Sequence, residues 1–296
     1  MNRNSIKILG IVLFICGSLM QSRGQTDVNL SHRYLGRLCY NPAAAGEDPT
    51  TVNLRAFFRE QWIGFDRAPS TQAVTADNYF GKYNSGVGVV FVKDEIGFSK
   101  SINFKGSYAY HLKLNDNSYV ALGLAVGVIY NSSDERNFNP EDPEDPEITY
   151  MLEKETIADF DVGVEYHWKS LNVGLAVAHI TKGKNNPKVT PHYYAYGNYA
   201  MNLTEDWRLT PSLFAAINKK TRIYEVAATT EYRNKINLGL AYRVSERFVA
   251  DAIIGLLGVI VSDYVSLNYS YDFTIGQSRS DVTGAHELMM AFRIKK

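Results

Sequence analysis

Large apolar residues alternate with small or polar residues along most of the chain after residue 51. The even-numbered positions from 120 to 130 are Val, Leu or Tyr, whereas the odd-numbered positions from 121 to 127 are Ala or Gly. Between Phe160 and Trp168 the apolar residues alternate instead with Asp161, Glu165 and other polar residues. A period of two is typical of β-strands, which present successive side chains to opposite faces. One face of each strand is therefore apolar and the other small or charged.

The alternation predicts fourteen strands, an even number. They are expected near 52–59, 71–80, 86–93, 101–113, 118–130, 157–168, 171–180, 192–202, 206–218, 222–233, 235–243, 250–260, 263–273 and 286–294. Every second connection is a tight turn, such as Asn115-Asp116-Asn117 or Arg233-Asn234, while the other connections are mostly longer. The connection near Ser245-Glu246 is a short exception on the long-loop side. Short turns at one end and long loops at the other are typical of outer-membrane barrels. The predicted fold is all-β: a transmembrane antiparallel outer-membrane β-barrel of about 14 strands.

A soluble barrel or sandwich would also show alternation, but it would turn its apolar face inward and a Lys/Glu-rich face to water. Here the second face is rich in Gly, Ala, Asn and ionised groups, which suits a crowded or wet lumen. We therefore expect lipid on the apolar side, with Arg55, Arg243 and Arg293 facing inward, because an Arg at the bilayer midplane costs about 2–4 kcal/mol. Interfacial aromatic girdles are expected from Tyr119, Tyr130, Trp168, Tyr193 and Trp207.

The first 24 residues have the pattern of a cleavable export signal. Arg3 and Lys7 precede an apolar run from Ile8 to Met20, and small residues occupy the positions before Gln25. This run is shorter than the ~20 residues that a spanning helix requires. We expect a signal peptide at 1–24, a periplasmic or plug segment at 25–51, a barrel at 52–296, and an integral outer-membrane location. Whether the middle segment plugs the barrel or docks in the periplasm stays open at this point.

Composition excludes several classes of partner. Lys and Arg together equal Asp and Glu at 31 each, so the basic excess that neutralises nucleic-acid phosphates is missing, and we expect no nucleic-acid partner. After leader removal Cys39 is the one remaining cysteine, and we expect it to be a small buried hydrophobe.

No motif points to catalysis or to a cofactor. The sequence lacks a nucleophile elbow, a P-loop and a dinucleotide fingerprint, and the six histidines lie in distant segments. We therefore predict no enzyme, no cofactor and no resident metal, although folding could still bring scattered ligands together. The acidic stretch Asn139–Glu147 has a proline at every third position, which favours an extended solvated loop over a calcium or basic-partner site.

Several stretches, in this order along the chain, resemble one known family. They are Tyr40-Asn41-Pro42-Ala43-Ala44-Ala45-Gly46, Arg59-Glu60-Gln61-Trp62-Ile63-Gly64, Asp94-Glu95-Ile96-Gly97, Tyr108-Ala109-Tyr110-His111, Asp251-Ala252-Ile253-Ile254-Gly255, Tyr269-Ser270-Tyr271-Asp272 and Gly284-Ala285-His286-Glu287. Together they resemble the PorP/SprF membrane proteins of Bacteroidetes type IX secretion. Two departures are Cys39, where the family more often has an apolar residue, and the chain end Phe292–Lys296, where a barrel usually stops on an aromatic residue.

The resemblance implies an outer-membrane barrel that serves type IX secretion or gliding motility without catalysis. It implies as partners a secreted, adhesin-type surface protein, received through its C-terminal sorting domain, and periplasmic and outer-membrane components of the machinery. The alternative from the residues is a passive or ligand-specific channel, because a barrel of this size can leave room for a solute. A barrel hydrolase has no nucleophile constellation to support it.

Charged positions on the predicted inner face, and residues inside the family motifs, are candidates for lining the lumen or binding a partner. Mutual ion pairing inside a small barrel explains the charges equally well. Arg59–Ser70 and Thr274–Ala285 are expected to close or line the outer mouth. The candidates are Arg55, Arg59, Trp62, Asp161, Glu165, Arg243, Asp251, Asp272, Glu287 and Arg293.

Overall fold

A computed structural model of the chain describes residues 28–133, 154–180, 189–219, 221–245, 249–275 and 284–296. The described residues form one antiparallel sheet closed on itself. Its strands are β1 Thr51–Gln61, β2 Ser70–Phe80, β3 Ser85–Ile96, β4 Ser99–Asn115, β5 Ser118–Ser133, β6 Glu155–Trp168, β7 Leu171–Ala178, β8 His192–Tyr199, β9 Met201–Asn202, β10 Trp207–Ile217, β11 Arg222–Tyr232, β12 Ile236–Ser245, β13 Val249–Ser262, β14 Val265–Thr274 and β15 Ala285–Lys295.

Each strand pairs with its neighbours in the sequence, and β15 pairs with β1 along all eleven residues of β1, from Thr51 opposite Lys295 to Gln61 opposite Ala285. β8 and β9 are separated only by Ala200 and both pair with β10, so they form one wall strand. The described wall is therefore a closed fourteen-stranded barrel, which confirms the predicted fold class. No helix among the described residues is long and apolar enough to cross a membrane.

The alternation separates the two faces as predicted. Leu122, Leu124 and Val126 are each more than half exposed on the outside, whereas Ala121 and Ala125 of the same strand are buried. On β6, Asp159, Asp161 and Glu165 are buried inside and Phe160 and Val162 face outward. An apolar exterior around a polar interior is the reverse of a soluble barrel, so hydrocarbon is the medium that this wall fits.

Four of the five predicted girdle aromatics lie on the outside: Tyr130, Trp168, Tyr193 and Trp207 are each exposed by more than a third. Tyr119 contradicts the prediction. Its ring stacks between His111, with centroids 5.2 Å apart, and His167, at 4.3 Å. Tyr119 is two residues from the buried Ala121, so both side chains lie on the inward face of β5. Two imidazoles inside the barrel cover the ring that the prediction assigned to the lipid interface.

The connections divide the barrel into two ends. At one end the strands are joined by turns of up to four residues, and both Thr51 and the chain terminus Lys296 lie there. The longer connections 62–69, 134–154, 179–191 and 275–284 lie at the other end, as predicted, together with shorter ones at 97–98, 218–221 and 246–248. Outer-membrane barrels keep short turns on the periplasmic side. We therefore call these ends the periplasmic end and the outer mouth. The acidic stretch 139–147 and residues 1–24 lie outside the described residues.

Residues 28–50, here called the inner segment, lie inside the barrel except for Pro49 and Thr50, which are exposed at its periplasmic end. Leu30, Tyr40 and Ala45 are almost fully buried, and they pack with Phe57 and Met289, which point inward from the wall. Two short 3-10 helices, Arg37–Cys39 and Pro42–Ala44, shape the middle of the segment. Cys39 is buried there among apolar residues, as expected. At the periplasmic end, partial burial raises the pKa of the Asp48 carboxyl, but hydrogen bonds from Thr50 and Thr51 hold this pKa below its usual value.

Glycines on the inner face of the wall leave the space that the inner segment occupies. A Cβ built on Gly123 would lie 2.1 Å from the Ala43 nitrogen, and one built on Gly163 would lie 1.9 Å from Asn41 Oδ1. A Cβ on Gly86 would lie 1.9 Å from the Ala45 carbonyl oxygen. Distances below 3.0 Å cannot be accommodated without displacing backbone or the buried Asn41 side chain. The run Asn41–Gly46 therefore fits against three wall strands that lack side chains where it passes.

Gly163→Ala should destabilise the folded barrel by about 1–3 kcal/mol, because overpacking a tight interior forces shifts of that size. The matched control is Gly106→Ala on the lipid face, where the nearest atom to a new Cβ is 4.0 Å away. Urea titration of the heat-modifiable folded form in detergent micelles measures both variants. Equal midpoints for the two variants would contradict the tight fit.

Candidate functional site

Most of the buried charged residues in the lumen form three clusters around the inner segment. The outer cluster holds three arginines and three carboxylates with Ser31 and His32. The arginines are Arg33, Arg59 and Arg243, and the carboxylates are Glu225, Asp272 and Glu287. All are buried, and their formal charges balance.

Arg243 is the centre of the outer cluster. Its Nε lies 2.8 Å from Glu225 Oε2 and its Nη1 lies 2.9 Å from Asp272 Oδ2. Arg59 reaches the same Asp272 carboxylate at 2.8 Å and donates to Ser31 Oγ at 2.6 Å. Because Arg243 is only 1% exposed, its charge depends on these partners; a buried ion is stable only when it is paired and hydrogen-bonded.

The inner segment supplies the other half of this cluster. Ser31 and His32 donate their backbone N–H groups to the two oxygens of Glu287, at 2.6 and 2.9 Å, and His32 Nδ1 lies 2.8 Å from the same carboxylate. Arg33 Nε donates to Glu225 at 2.9 Å. The Ser31 hydroxyl donates to Asp272 Oδ1 at 2.6 Å. The segment is therefore tied to β11, β14 and β15 by charge-assisted hydrogen bonds, which are about twice as strong as neutral ones.

The middle cluster surrounds Glu165, which is fully buried. It accepts a short hydrogen bond from the Tyr196 hydroxyl and lies 2.7 Å from His167 Nε2. Arg37 of the inner segment is 3.6 Å from Glu165 and makes a close ion pair with Glu47. Asn41, beside this cluster, caps the helix Pro42–Ala44 and donates to the Tyr196 hydroxyl at 3.0 Å.

The lysine cluster places Lys105 Nζ 2.8 Å from Asp159 and 2.7 Å from Asp161. His179 completes it, with its Nδ1 2.9 Å from Asp159 and its backbone N–H donating to Asp161 at 3.0 Å. Two carboxylates and one imidazole within 4.8 Å of one another form a donor set of the kind that binds Zn²⁺. The Lys105 ammonium lies in their midst and already supplies the positive charge that the two carboxylates require.

Replacing Lys105 should turn this cluster into a metal site. Lys105→Ala leaves two adjacent buried carboxylates without their ammonium and should destabilise the barrel by about 3–5 kcal/mol. Zn²⁺ should restore much of this loss in the variant and leave the wild-type midpoint unchanged. Urea titrations of both proteins with Zn²⁺ and with chelator measure this. If Zn²⁺ shifts neither midpoint, the three ligands do not form a usable site.

The structure places most of the sequence-predicted residues in these clusters. Arg59, Arg243, Asp272 and Glu287 meet in the outer cluster, Glu165 forms the middle one and Asp161 belongs to the lysine cluster. Their arrangement is mutual ion pairing, which was one of the two explanations of the inward charges.

The remaining candidates lie apart. Arg55 pairs with Asp77 at 2.8 Å, and Arg293 is half-buried on the inward face near the periplasmic end of β15. Asp251 is half-buried beside a β-bulge near the outer end of β13, away from the inward row of Ala252 and Ile254. Trp62 is 42% exposed at the outer mouth, where its backbone N–H donates to the Gly284 carbonyl at 3.0 Å. That bond joins the two connections that the sequence assigned to the mouth.

Glu225, Lys105 and the inner-segment residues were not among the predicted site residues. The alternation of inward and outward positions could have identified Glu225, which lies between the outward Tyr224 and Val226. It could likewise have identified Lys105, which lies between Phe104 and Gly106. Residues 31–33 precede the first strand and belong to no alternation, so the sequence pattern carries no signal for them.

A cavity of about 190 Å³, lined by both polar and apolar side chains, opens at the outer mouth above the lysine cluster. Its lining includes Val28, Asp94, Lys100, Asn131 and His192. A second cavity, of about 280 Å³, lies between the inner segment and β10–β14, with Arg208, Glu231 and Asn237 at its periplasmic side. The outer cluster lies at the other end of this second cavity, where Ser31, His32, Arg33 and Glu225 line it.

These features define the class of protein: an outer-membrane β-barrel whose lumen is occupied by its own N-terminal segment. The family model of the type IX secretion system membrane protein PorP/SprF matches residues 22–292. The chain belongs to this family and is a type IX secretion outer-membrane barrel. No curated protein matches the sequence.

Solved structures with a similar fold are outer-membrane barrels. The outer membrane protein Omp33 of Acinetobacter baumannii superposes with a TM-score of 0.50 at 11% identity, covering 83% of this chain and 100% of that one. The TodX deltaS2S3 mutant, a monoaromatic hydrocarbon channel, superposes with a TM-score of 0.55 at 8% identity, covering 92% and 97%. At these identities the similarity shows the fold alone.

Proposed function

We propose that this barrel is a docking component of type IX secretion. It receives or anchors an adhesin-type secreted surface protein through that protein's C-terminal sorting domain at the outer mouth, and it contacts the periplasmic machinery at its short-turn end. Family membership supports the pathway. The observation that carries the docking role is the occupied lumen: the inner segment passes through it and is held by buried ion pairs. A barrel filled in this way suits binding at its ends better than passage through its centre.

The outer mouth offers the surface for such a partner. Trp62, Phe65 and Ile63 are each more than two-fifths exposed on the connection after β1. The cavity lined by Val28, Lys100 and His192 lies within the same end of the barrel. Exposed aromatic residues beside polar groups are enriched where proteins bind one another. The buried candidates of the three clusters hold the barrel together, so Trp62 is the predicted site residue best placed to touch a partner.

The role is tested by deleting the gene and by exchanging one side chain. The deletion strain should lose one cognate surface protein from the cell exterior, and affinity purification of the wild-type barrel from native membranes should recover that protein. Trp62→Ala should reduce the recovery by about thirtyfold or more, which corresponds to the 2 kcal/mol or more of a hot-spot residue. The control is Trp168→Ala, a similarly exposed Trp on the lipid face near the periplasmic end. Normal surface display in the deletion strain would refute the role.

The channel alternative makes the opposite prediction for the purified wild-type barrel. Planar bilayer recordings should be silent for a docking component, because the inner segment fills the lumen. Steady solute-dependent conductance without a co-purifying surface protein would instead favour a transporter.

A further inference from the structure

The inner segment runs through the barrel in one direction. Its last residues lie at the periplasmic end, where Thr51 begins β1. Ala45 then meets His111 near the periplasmic end of β4, with its carbonyl 3.0 Å from His111 Nε2, and Asn41 lies at Gly163 in the middle of β6. Ser31 and His32 reach Asp272 and Glu287, which lie two residues from the outer ends of β14 and β15.

Val28, the first described residue, completes this path. It lines the outer-mouth cavity together with Ile96, Ser99, Asn131 and His192, which stand at the outer ends of β3, β4, β5 and β8. From Thr51 to Val28 the chain has thus crossed from the periplasmic end to the outer mouth. Only three residues separate Val28 from the expected cleavage point before Gln25, and three residues span at most about 10 Å.

Beside Asn41–Gly46 and at the outer cluster, the lumen leaves no room for the chain to return. Beside Asn41–Gly46 the inner glycines already approach the inner segment so closely that a single Cβ would overlap it. Higher up, an ion pair joins the segment to β11, and buried hydrogen bonds join it to β1, β12, β14 and β15. A second strand cannot pass this point without breaking several buried hydrogen bonds.

From this path we infer that the processed amino terminus opens at the cell exterior, whereas the carboxyl terminus stays in the periplasm. This topology sets an order of events that rests on the predicted leader. An attached leader would emerge from the outer mouth, on the far side of the outer membrane from the inner membrane that holds it during export. Proteolytic removal of the leader must therefore precede closure of the barrel around the inner segment.

Single-cysteine labelling on intact cells tests this topology. The background is Cys39→Ala, which removes the remaining cysteine of the mature chain. Thr26→Cys then reports on the amino terminus, Asp66→Cys on the outer mouth and Asn117→Cys on the periplasmic end. Asp66 is a suitable reference because its side chain is 93% exposed in the connection after β1, and Asn117 lies in the turn between β4 and β5. The probe is a maleimide reagent too large to cross the outer membrane.

We expect Thr26→Cys to be labelled on intact cells as fully as Asp66→Cys, while Asn117→Cys is labelled only after permeabilisation. Heat-modifiable migration verifies that each variant is folded, and labelling after denaturation verifies that each cysteine is present. If Thr26→Cys is labelled only after permeabilisation, the terminus is periplasmic and the inference is wrong. If it is labelled only after denaturation, the terminus is enclosed and the inference is equally wrong.

Discussion

Arg243→Leu should lower the free energy of unfolding of the barrel by about 3–5 kcal/mol, since removing one partner from a buried ion network leaves an uncompensated charge. In the variant, Glu225, Asp272 and Glu287 would share two arginines instead of three inside the lumen. The measurement is the urea midpoint of heat-modifiable migration in detergent micelles. Arg243 also lies 3.4 Å from the Leu30 carbonyl oxygen, so the inner segment should loosen together with the wall.

Arg233→Leu is the control for this loss. Arg233 makes a two-point pair with Asp206 at 3.0 and 3.1 Å, and its hydrogen bonds hold the pKa of the Asp206 carboxyl below its usual value. The pair lies in solvent at the periplasmic turns, where exposed ion pairs contribute little to stability. The midpoint of Arg233→Leu should therefore stay near that of the wild type. If the two variants lose equal stability, burial of the outer cluster is not what makes Arg243 important.

Replacing residues 29–46 with a Gly/Ser linker of the same length should convert a silent barrel into a conducting one. The linker can make neither the ion pairs to Glu225 and Glu287 nor the close contacts at Gly123, and water should then enter the lumen. The freed carboxylates and arginines would line an aqueous path, as charged residues line the interior of porins. We expect discrete single-channel openings in planar bilayers, where the wild type gives none.

The bilayer recording can be interpreted only if the linker variant is folded. The linker variant should retain heat-modifiable migration, because the wall pairs β1 with β15 without help from the inner segment. A folded variant that stays as silent as the wild type would show that something other than the inner segment closes the lumen.

The alternation in the sequence predicted the wall well, because a period of two and the cost of charge in lipid act on every strand independently. Asp161 and Arg243 follow from parity alone. Tyr119 did not follow, because an aromatic ring near a strand end suits a lipid interface and a stacked interior position equally. The alternation also could not predict the inner segment: residues 28–50 have no period, and their fit depends on distant glycines, such as Gly163 beside Asn41.

The sequence also could not predict which charged residues pair with each other within the clusters. Parity places Asp159, Asp161 and Lys105 on one face, but the approach of Lys105 to both carboxylates depends on the register between β4, β5 and β6. Ser31 meets Glu287 across 256 positions of sequence. Such contacts form only when the whole barrel closes, so no short stretch of sequence can predict them.

The pairing of the first wall strand with the last has a kinetic consequence. All other strand pairings join neighbours in the sequence and can form as hairpins soon after synthesis. The pairing of β1 with β15 instead brings Thr51 next to Lys295, and contacts of such long range form slowly. Until β1 and β15 pair, the edges of these two strands carry unpaired backbone amides that hydrocarbon cannot solvate. A chain truncated after Thr274 would keep thirteen of its fourteen wall strands and still be trapped as an open, aggregation-prone ribbon.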